Sequence, residues 1–203
     1  PTELGVQLPG QKDPGRLSEL WRQGGVSLVS DAIHDIVGLE DGDPKRYVVM
    51  PRAALRRLVD GLGEVEVVLG QSYQRQDKAQ GYSVNLQAGR QSLNGVQAEQ
   101  LVRHLPDPKD VSQRRQRQDI LVEALIEQVK APSGIELIPA LVDQLDADVE
   151  TNLSRSEQLS LAAAIIASPE PAAITRLPLA DRSGEQTLRQ IKSGVSRPLW
   201  PQP

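Results

Sequence analysis

The spacing of apolar residues changes from a helical to a strand-like period within one short stretch of the chain. Residues 55–62 place leucine and valine at i, i+3, i+4 and i+7, the pattern of one buried helix face. After Gly63, residues 64–69 alternate polar and apolar, as in a strand with one buried face. Helix-like and strand-like segments alternate along the rest of the chain, so the sequence predicts an α/β or α+β class with a layered sheet.

The core of such a fold has to be built from aliphatic side chains. In 203 residues there is no Phe, aromatic residues make up 2% and hydrophobic residues 38%. The 25% share of charged residues is ordinary for a globular protein, which argues against wholesale disorder. Because there is no Cys, disulfides, a catalytic thiol and cysteine-ligated metal sites are excluded. The net charge of −4 argues against a general nucleic-acid binder.

Glycines, prolines and one asparagine set the bounds of the predicted elements. Gly24-Gly25 separates two helical segments, and Asn94 is a good N-cap. The predicted helices cover residues 17–23, 26–37, 51–61, 95–103, 113–130, 135–145 and 155–167, and the predicted strands cover 47–50, 64–69 and 82–86, with a turn at 88–90 and short edge strands at 176–179 and 198–200. We expect one domain over residues 1–180, followed by a proline-rich tail or edge strands over 181–203.

The most unusual segment is the start of the long helix, which reads Gln-Arg-Arg-Gln-Arg-Gln over residues 113–118. A helix N-terminus already carries about half a positive charge, so arginines in its first turn are unfavourable without an anion nearby. Arg114, Arg117 and Gln118 lie at i, i+3 and i+4 and therefore share one helix face. Free N–H groups together with arginines make a ready phosphate site.

Two interpretations of this basic helix start remain open from the residues alone. In one, the arginines are solvated and paired with aspartates of the preceding loop, Asp107 and Asp110. In the other, they bind an anion together with Arg103, which ends the preceding helix. Leu121 and Leu125 continue the arginine face into the core, which places the arginines at the rim of a buried surface.

No other segment carries a familiar catalytic motif. There is no nucleophile elbow, Walker loop or dinucleotide fingerprint, since Gly61-Leu62-Gly63 lacks a third glycine and follows a helix. Two histidines do not make a zinc site by themselves. We interpret His34 as structural and His104 as a surface residue. Catalytic residues stay unassigned, and no metal ligand is assigned within the chain.

Several short motifs, in this order, resemble those of the LytR-CpsA-Psr family. Residues 58–67, LVDGLGEVEV, resemble the family's LVDxLGGVxV, with Glu64 in place of the second glycine. Residues 86–98, LQAGRQSLNGVQA, resemble LxxGxQxLNGxxA. Val102-Arg103 resembles the start of VRxR, and residues 114–118 resemble the RxxRQ that opens a helix in the family. The resemblance extends over most of the chain.

The resemblance implies a fold, an activity and a place in the cell. The implied fold is an α/β/α sandwich with a central mixed sheet. The implied activity is a Mg²⁺-dependent phosphotransferase that moves a glycopolymer from a polyprenyl pyrophosphate carrier onto the cell wall. Its implied partners are the polyprenyl-linked glycan and a cell-wall polymer acceptor, and not a nucleic acid. The implied location is extracytoplasmic, with membrane association through a segment that lies before Pro1.

The resemblance also implies site residues. The pyrophosphate ligands are four polar residues from two helices: Arg103, Arg114, Arg117 and Gln118. The lipid pocket lies beyond them, at Leu121 and Leu125. The chain departs from the family pattern at Leu105, where VRxR has its second arginine. The acids that hold Mg²⁺ in the family are expected upstream of Pro1, so the chain alone is expected to be inactive.

A second function, from a different class, is a non-catalytic polyprenyl-phosphate binding domain. It is favoured by Leu105 and by the acids expected outside the chain. A third, a transcription factor, is suggested only by the family's other name, cell envelope-related transcriptional attenuator. The acidic net charge and the scarcity of aromatic residues argue against that third function.

Overall fold

The computed structural model describes residues 4–37, 45–78, 81–105 and 111–168. The chain divides into two compact units, and their described parts are residues 4–47 and 48–168 with the gaps given above. The edge strands predicted at 176–179 and 198–200, and the tail predicted over 181–203, lie outside the described residues. None of the described helices combines the length and the apolar character needed to cross a membrane.

The first unit contains a small antiparallel pair and a kinked helix. Strand β1 (Gly5–Val6) pairs with β2 (Gly15–Arg16), and helix α1 covers Leu17–Val37. Gly24 and Gly25 have non-helical backbone angles, and Gly25 has φ of +56°, so α1 consists of two helical pieces. The predicted division of this helix at the glycine pair is confirmed. Buried aliphatic side chains form the core of this unit: Leu4, Val6, Leu8, Leu20 and Ile36.

The second unit holds the remaining elements. They are, in chain order, β3 (Val48–Val49), α2 (Arg52–Gly61), β4 (Val65–Leu69), β5 (Tyr73–Asp77), β6 (Tyr82–Leu86), β7 (Gly89–Leu93), α3 (Gly95–Arg103), α4 (Val111–Lys130), α5 (Pro132–Asp148), β8 (Glu150–Thr151) and α6 (Arg155–Ala167). The α/β class is confirmed. Among the described residues the strands join as four antiparallel pairs, β1–β2, β3–β8, β4–β7 and β5–β6, rather than as one sheet with parallel neighbours.

The pairs β4–β7 and β5–β6 follow each other along one antiparallel hairpin, which we call the ribbon. Leu69 pairs with Gly89 at the end of β4–β7, and Tyr73 pairs with Leu86 at the start of β5–β6. Residues 70–72 therefore face only residues 87–88, so one arm carries one residue more than the other. This offset is the geometry of a β-bulge. It lets both strand pairs turn their buried residues toward the same core, since side chains alternate between faces along a strand.

Strands β5 and β7 differ from the sequence prediction. The sequence assigns no element to residues 73–77, which form β5, and predicts a turn at 88–90, whereas Gly89 begins a strand. Both strands are rich in polar residues, and their alternation is too weak to indicate a buried face. Their positions are set instead by pairing with β6 and β4, whose alternation between buried and exposed residues is complete.

Helices α2 and α3 pack closely because two motif residues connect them. Asn94 forms a capping box with Gln97, which confirms the predicted helix start. The next residue, Gly95, donates its backbone N–H to Asp60 Oδ1 at 2.7 Å. A Cβ at position 95 would lie 2.7 Å from the Cα of Arg56, so only glycine permits this approach. Asp60 of the LVD motif and Gly95 of the LNG motif thus connect α2 to α3.

The core of the second unit lies between the ribbon and the helices α2, α3 and α4. It is aliphatic apart from two tyrosines, and its buried members include Val59, Val65, Val67, Leu69, Tyr73, Tyr82, Val84, Leu86, Leu93, Leu101 and Leu121. The ribbon supplies one face, and the helices supply the other. The carboxyl end of α3 and the first turns of α4 reach the edge of this core beside both tyrosines.

Candidate functional site

Arg117 lies at the centre of a cluster where α4 meets the end of α3. Its side chain is 1% exposed. Nε donates to the Leu101 carbonyl at 3.2 Å, Nη2 donates to the His104 carbonyl, and the guanidinium lies 5.0 Å from the centre of the Tyr73 ring. The carbonyl end of a helix carries a partial negative charge and lacks internal partners. Arg117 therefore satisfies the end of α3 from within the core.

Arg103 lies on the more open side of the same cluster. Its Nη1 donates to Glu99 Oε1 at 2.9 Å, and its guanidinium lies 4.6 Å from the centre of the Tyr82 ring. The side chain remains 23% exposed. A cation–π contact and a charged hydrogen bond hold the group in place, while part of it still faces solvent.

Glu99 is a buried carboxylate shared by three arginines. Its side chain is 3% exposed, and it binds Arg56 and Arg103, with Arg52 3.9 Å away. Burial alone raises the pKa of Glu99, but the hydrogen bonds from Arg56 and Arg103 outweigh burial and lower the pKa. Among the described residues around Arg103, the single negative charge of Glu99 thus faces three arginines.

Besides Arg117 and Arg103, the cluster contains a third arginine, which comes from the ribbon. Arg75, on β5, donates from Nη1 to the Leu105 carbonyl at 2.8 Å and from Nη2 to Asp77 Oδ2 at 3.2 Å. The Tyr82 hydroxyl donates to the Gln100 carbonyl at 2.9 Å. Burial raises the pKa of Tyr82, and the positive charges of Arg103, Arg117 and Arg75 oppose that rise. The guanidinium groups of Arg75, Arg103 and Arg117 therefore all lie close enough to Tyr82 to influence its pKa.

His104 is buried, contrary to the expectation of a surface residue. It is 5% exposed, and its ring meets that of Tyr73 edge-on at 5.4 Å between centroids. Burial, followed by the charges of Arg117 and Arg75, lowers its pKa below the ordinary 6.5. Its Nδ1 has no hydrogen-bond partner among the described residues. The imidazole is thus held neutral beside the arginines.

The lowered pKa of His104 predicts a loss of stability in mild acid. Below pH 6.5 the unfolded histidine takes up a proton that the folded one resists, so the free energy of unfolding falls as the pH drops through this window. Urea titrations at pH 7.5 and pH 5.5 measure the difference. His104→Phe keeps a ring against Tyr73 but does not titrate, and we expect it to flatten the dependence. An unchanged dependence in this variant would assign the effect elsewhere.

The remaining predicted site residues, apart from Arg103 and Arg117, differ in their burial. Arg114, one turn before Arg117, is half-buried, and its Nε is buried with no hydrogen-bond partner among the described residues. Gln118 is exposed. Leu121 is 2% exposed within the core, and Leu125 packs against the same core. The loop with Asp107 and Asp110 lies outside the described residues, so its predicted pairing with the arginines stays a prediction.

The structure thus brings Arg103 and Arg117 together and adds residues that sequence reasoning missed. The additions are Arg75, Tyr73, Tyr82 and Glu99. The tyrosines were the available signal, because three tyrosines and two tryptophans are the only aromatic residues in the chain. Tyr73 begins β5 and Tyr82 begins β6, and both rings are buried in the core.

The same cluster contains few carboxylates that could hold a magnesium ion. No group of three or more His, Asp or Glu side chains in the described ranges is placed to hold a metal ion. Glu99 is occupied by arginines, and Asp77 is paired with Arg75. The carboxylates described in this cluster therefore do not fit the Mg²⁺ that the resemblance implies.

An apolar cavity of about 210 Å³ lies elsewhere in the second unit. Helices α2, α4, α5 and α6 and strands β3 and β8 line it, and its lining includes Met50, Leu58, Leu141, Leu145, Ala162 and Ile165. Leu121 and Leu125 do not line this cavity. A lipid pocket at those two leucines stays a prediction.

Solved structures share this fold. B. subtilis TagV matches with a TM-score of 0.68 and 20% identity over 82% of this chain and 63% of TagV. A structure of TagT bound to LI-WTA matches with a TM-score of 0.63 and 23% identity over 83% of this chain and 61% of TagT. A transcriptional regulator from Enterococcus faecalis gives 0.65 and 18% over 82% of this chain and 59% of that one. The chain thus spans less than two thirds of each.

The sequence itself identifies the family. No curated protein sequence matches the chain. The profile of the LytR_cpsA_psr family, in contrast, matches residues 3–190, which is nearly the whole chain. The matched region includes both helices of the arginine cluster and the ribbon beside them. Because profile and fold agree over this length, the chain belongs to the LytR-CpsA-Psr family.

Proposed function

We propose that the protein is a cell-wall glycopolymer phosphotransferase that takes a glycan phosphate from a polyprenyl pyrophosphate carrier. The observation that carries the proposal is the cluster of Arg75, Arg103 and Arg117 around two tyrosines, in which arginines outnumber the described carboxylates. Family membership supports the same activity. TagT, which shares the fold, has been solved with LI-WTA, a wall teichoic acid ligand.

Within this proposal the arginines have different tasks. Arg103 is the partly exposed guanidinium, and it offers charged N–H groups to a pyrophosphate. Arg117 is enclosed and bound to backbone carbonyls, so it holds the end of α3 in position. Arg114 and Gln118, on the same helix, extend the site toward solvent. An acceptor hydroxyl attacks the phosphorus that carries the glycan, and the bond from that phosphorus to the leaving polyprenyl phosphate breaks. The hydroxyl proton passes to the leaving phosphate, and the guanidinium charges stabilise the transition state.

A pyrophosphate contact at Arg103 predicts a specific loss of affinity. Each charged hydrogen bond contributes about 1.5–3 kcal/mol, so Arg103→Ala is expected to weaken binding of a polyprenyl pyrophosphate about tenfold or more. Calorimetry measures the affinity. Arg90→Ala is the matched control, because Arg90 is an exposed arginine of β7 that pairs with Glu66 on the neighbouring strand. Equal affinity in the Arg103 variant and the wild type would reject the assignment.

We further propose that the apolar cavity holds part of the isoprenoid chain. Its described lining is almost wholly aliphatic, and burial of each CH₂ contributes about 0.8 kcal/mol. The cavity volume is enough for a short part of such a chain, so the remainder has to lie beyond it. The protein purified from cells is therefore expected to retain lipid.

Filling the cavity is expected to reduce the retained lipid. Ala162 of α6 lines the cavity, whereas Ala163, the next residue, is exposed and does not. Ala162→Trp is expected to lower the lipid recovered in an organic extract several-fold, as measured by mass spectrometry. Ala163→Trp adds the same side chain outside the cavity and is expected to leave recovery unchanged. Equal recovery from the two variants would remove the cavity from the proposal.

The second candidate is a non-catalytic polyprenyl-phosphate binding domain. The observation that favours it is that the two carboxylates described in the arginine cluster, Glu99 and Asp77, are already bound by arginines. Incubation of the 203-residue chain with a polyprenyl pyrophosphate and Mg²⁺, with and without a chelator, separates the two functions. We expect binding with negligible phosphate release from this chain alone. Robust release that a chelator abolishes would show that the metal ligands lie within it.

A further inference from the structure

We propose that Arg75 is a further anion-binding residue of the arginine cluster. The inference rests on the proposed function, because it adds a ligand to the same pyrophosphate site. Arg75 lies on β5, outside every motif that carries the family resemblance. The anion-binding role is inferred from the position of Arg75 beside the end of α3.

The backbone carbonyls at the end of α3 bring Arg75 next to Arg117. Arg75 donates to the Leu105 carbonyl, and Arg117 donates to the carbonyl of the preceding residue, His104. Successive carbonyl groups lie within a few ångströms of each other, so the two guanidinium groups are neighbours. Leu105 is also where the VRxR pattern lacks its second arginine. Arg75 thus brings a positive charge to a position that the chain's own motif leaves apolar.

Exposure separates Arg75 from Arg117. Arg117 is enclosed, whereas the Arg75 side chain is 33% exposed. A guanidinium has five N–H donors, and the two hydrogen bonds described for Arg75 use one N–H each. The other three N–H groups have no hydrogen bond described for them, and the partial exposure of the side chain lets an anion approach from solvent. Within the described cluster, Arg75 and Arg103 are therefore the arginines with both exposure and fixed geometry.

Asp77 opposes anion binding at Arg75. Its carboxylate accepts from Nη2 of Arg75 at 3.2 Å and neutralises part of the charge. A ligand role and a structural role for this ion pair therefore make different predictions. If Arg75 only stabilises the ribbon, loss of either partner weakens the protein in the same way. If Arg75 binds an anion, loss of Asp77 strengthens binding while loss of Arg75 weakens it.

The experiment is calorimetric titration of the 203-residue chain with farnesyl pyrophosphate. Arg75→Ala is expected to weaken binding about tenfold, the effect of one charged hydrogen bond. Asp77→Asn is expected to tighten binding about two- to fivefold, because the partly buried carboxylate no longer neutralises Arg75. Arg90→Ala is expected to bind like the wild type. Thermal melts of each variant confirm that the compared proteins are folded.

Two outcomes separate this inference from the function on which it rests. If Arg103→Ala loses affinity while Arg75→Ala binds like the wild type, the site stands and the role of Arg75 is overturned. If Arg75→Ala and Asp77→Asn both weaken binding and both lower the melting temperature, Arg75 is structural and the inference is again overturned. If neither Arg103→Ala nor Arg75→Ala changes the affinity, the proposed pyrophosphate site itself fails.

Discussion

Replacing Gly95 by Ala is expected to destabilise the second unit by about 3 kcal/mol, at the upper end of the cost of overpacking. The added Cβ would lie 2.7 Å from both the Cα and the carbonyl carbon of Arg56, and closer still to its oxygen. These are backbone atoms, so no side-chain rotation relieves the clash. The helices α2 and α3 have to separate, and the hydrogen bond from Gly95 to Asp60 is lost with them.

The matched control for this variant is Gly70→Ala. Gly70 lies between β4 and β5, and a Cβ there would meet no atom within 4 Å. Urea unfolding of both variants compares the free energies directly. We expect the midpoint of Gly70→Ala to stay near that of the wild type. A Gly95→Ala midpoint close to that of the control would show that α2 and α3 adapt to the methyl group.

Replacing Arg117 by Met is expected to cost about 3 kcal/mol of stability, because it leaves buried polar groups without partners. Methionine fills much of the same volume, so the loss comes from the guanidinium. Two carbonyls at the end of α3, those of Leu101 and His104, would lose their donor, and Tyr73 would lose a cation–π contact.

The size of this loss decides between two roles for Arg117. The sequence interpretation makes Arg117 a pyrophosphate ligand, whereas the structure encloses it at 1% exposure. Chemical denaturation without ligand measures the stability term alone. Arg90→Met, at an exposed ion pair of the ribbon, is expected to change stability by less than about 1 kcal/mol. A loss as small in Arg117→Met would favour the direct ligand role.

Helices α3 and α6 were predictable because capping residues mark where they begin, whereas α5 covers Pro132–Asp148 and not only the predicted 135–145. Asn94 caps α3 with its own side chain and that of Gln97, and the predicted bounds 95–103 coincide with the helix. Ser154 caps α6 in the same way, and the predicted 155–167 coincides with it. Strand β4 was predictable because its alternation matches its burial. Each of these signals depends on residues within a few positions of the element.

The site was only partly predictable, for a physical reason. The RxxRQ segment shows which helix face carries the arginines, but not which of them is enclosed. The burial of Arg117 depends on the carbonyls of residues 101 and 104, which reach it through tertiary packing. The same holds for Arg75, whose strand is defined by pairing with β6. Long-range contacts of this kind leave no periodic signal in the sequence.

The ribbon's unequal arms have a consequence for how its length can change. Residues 70–72 face residues 87–88, so the offset fixes which side chains of both strand pairs point toward the core. Adding or removing one residue in either arm would turn Tyr73 or Leu86 outward and carry Arg75 to the opposite face. Adding two residues to the same arm would keep every side chain on its present face of the ribbon. Insertions and deletions in this hairpin are therefore constrained by parity more than by length.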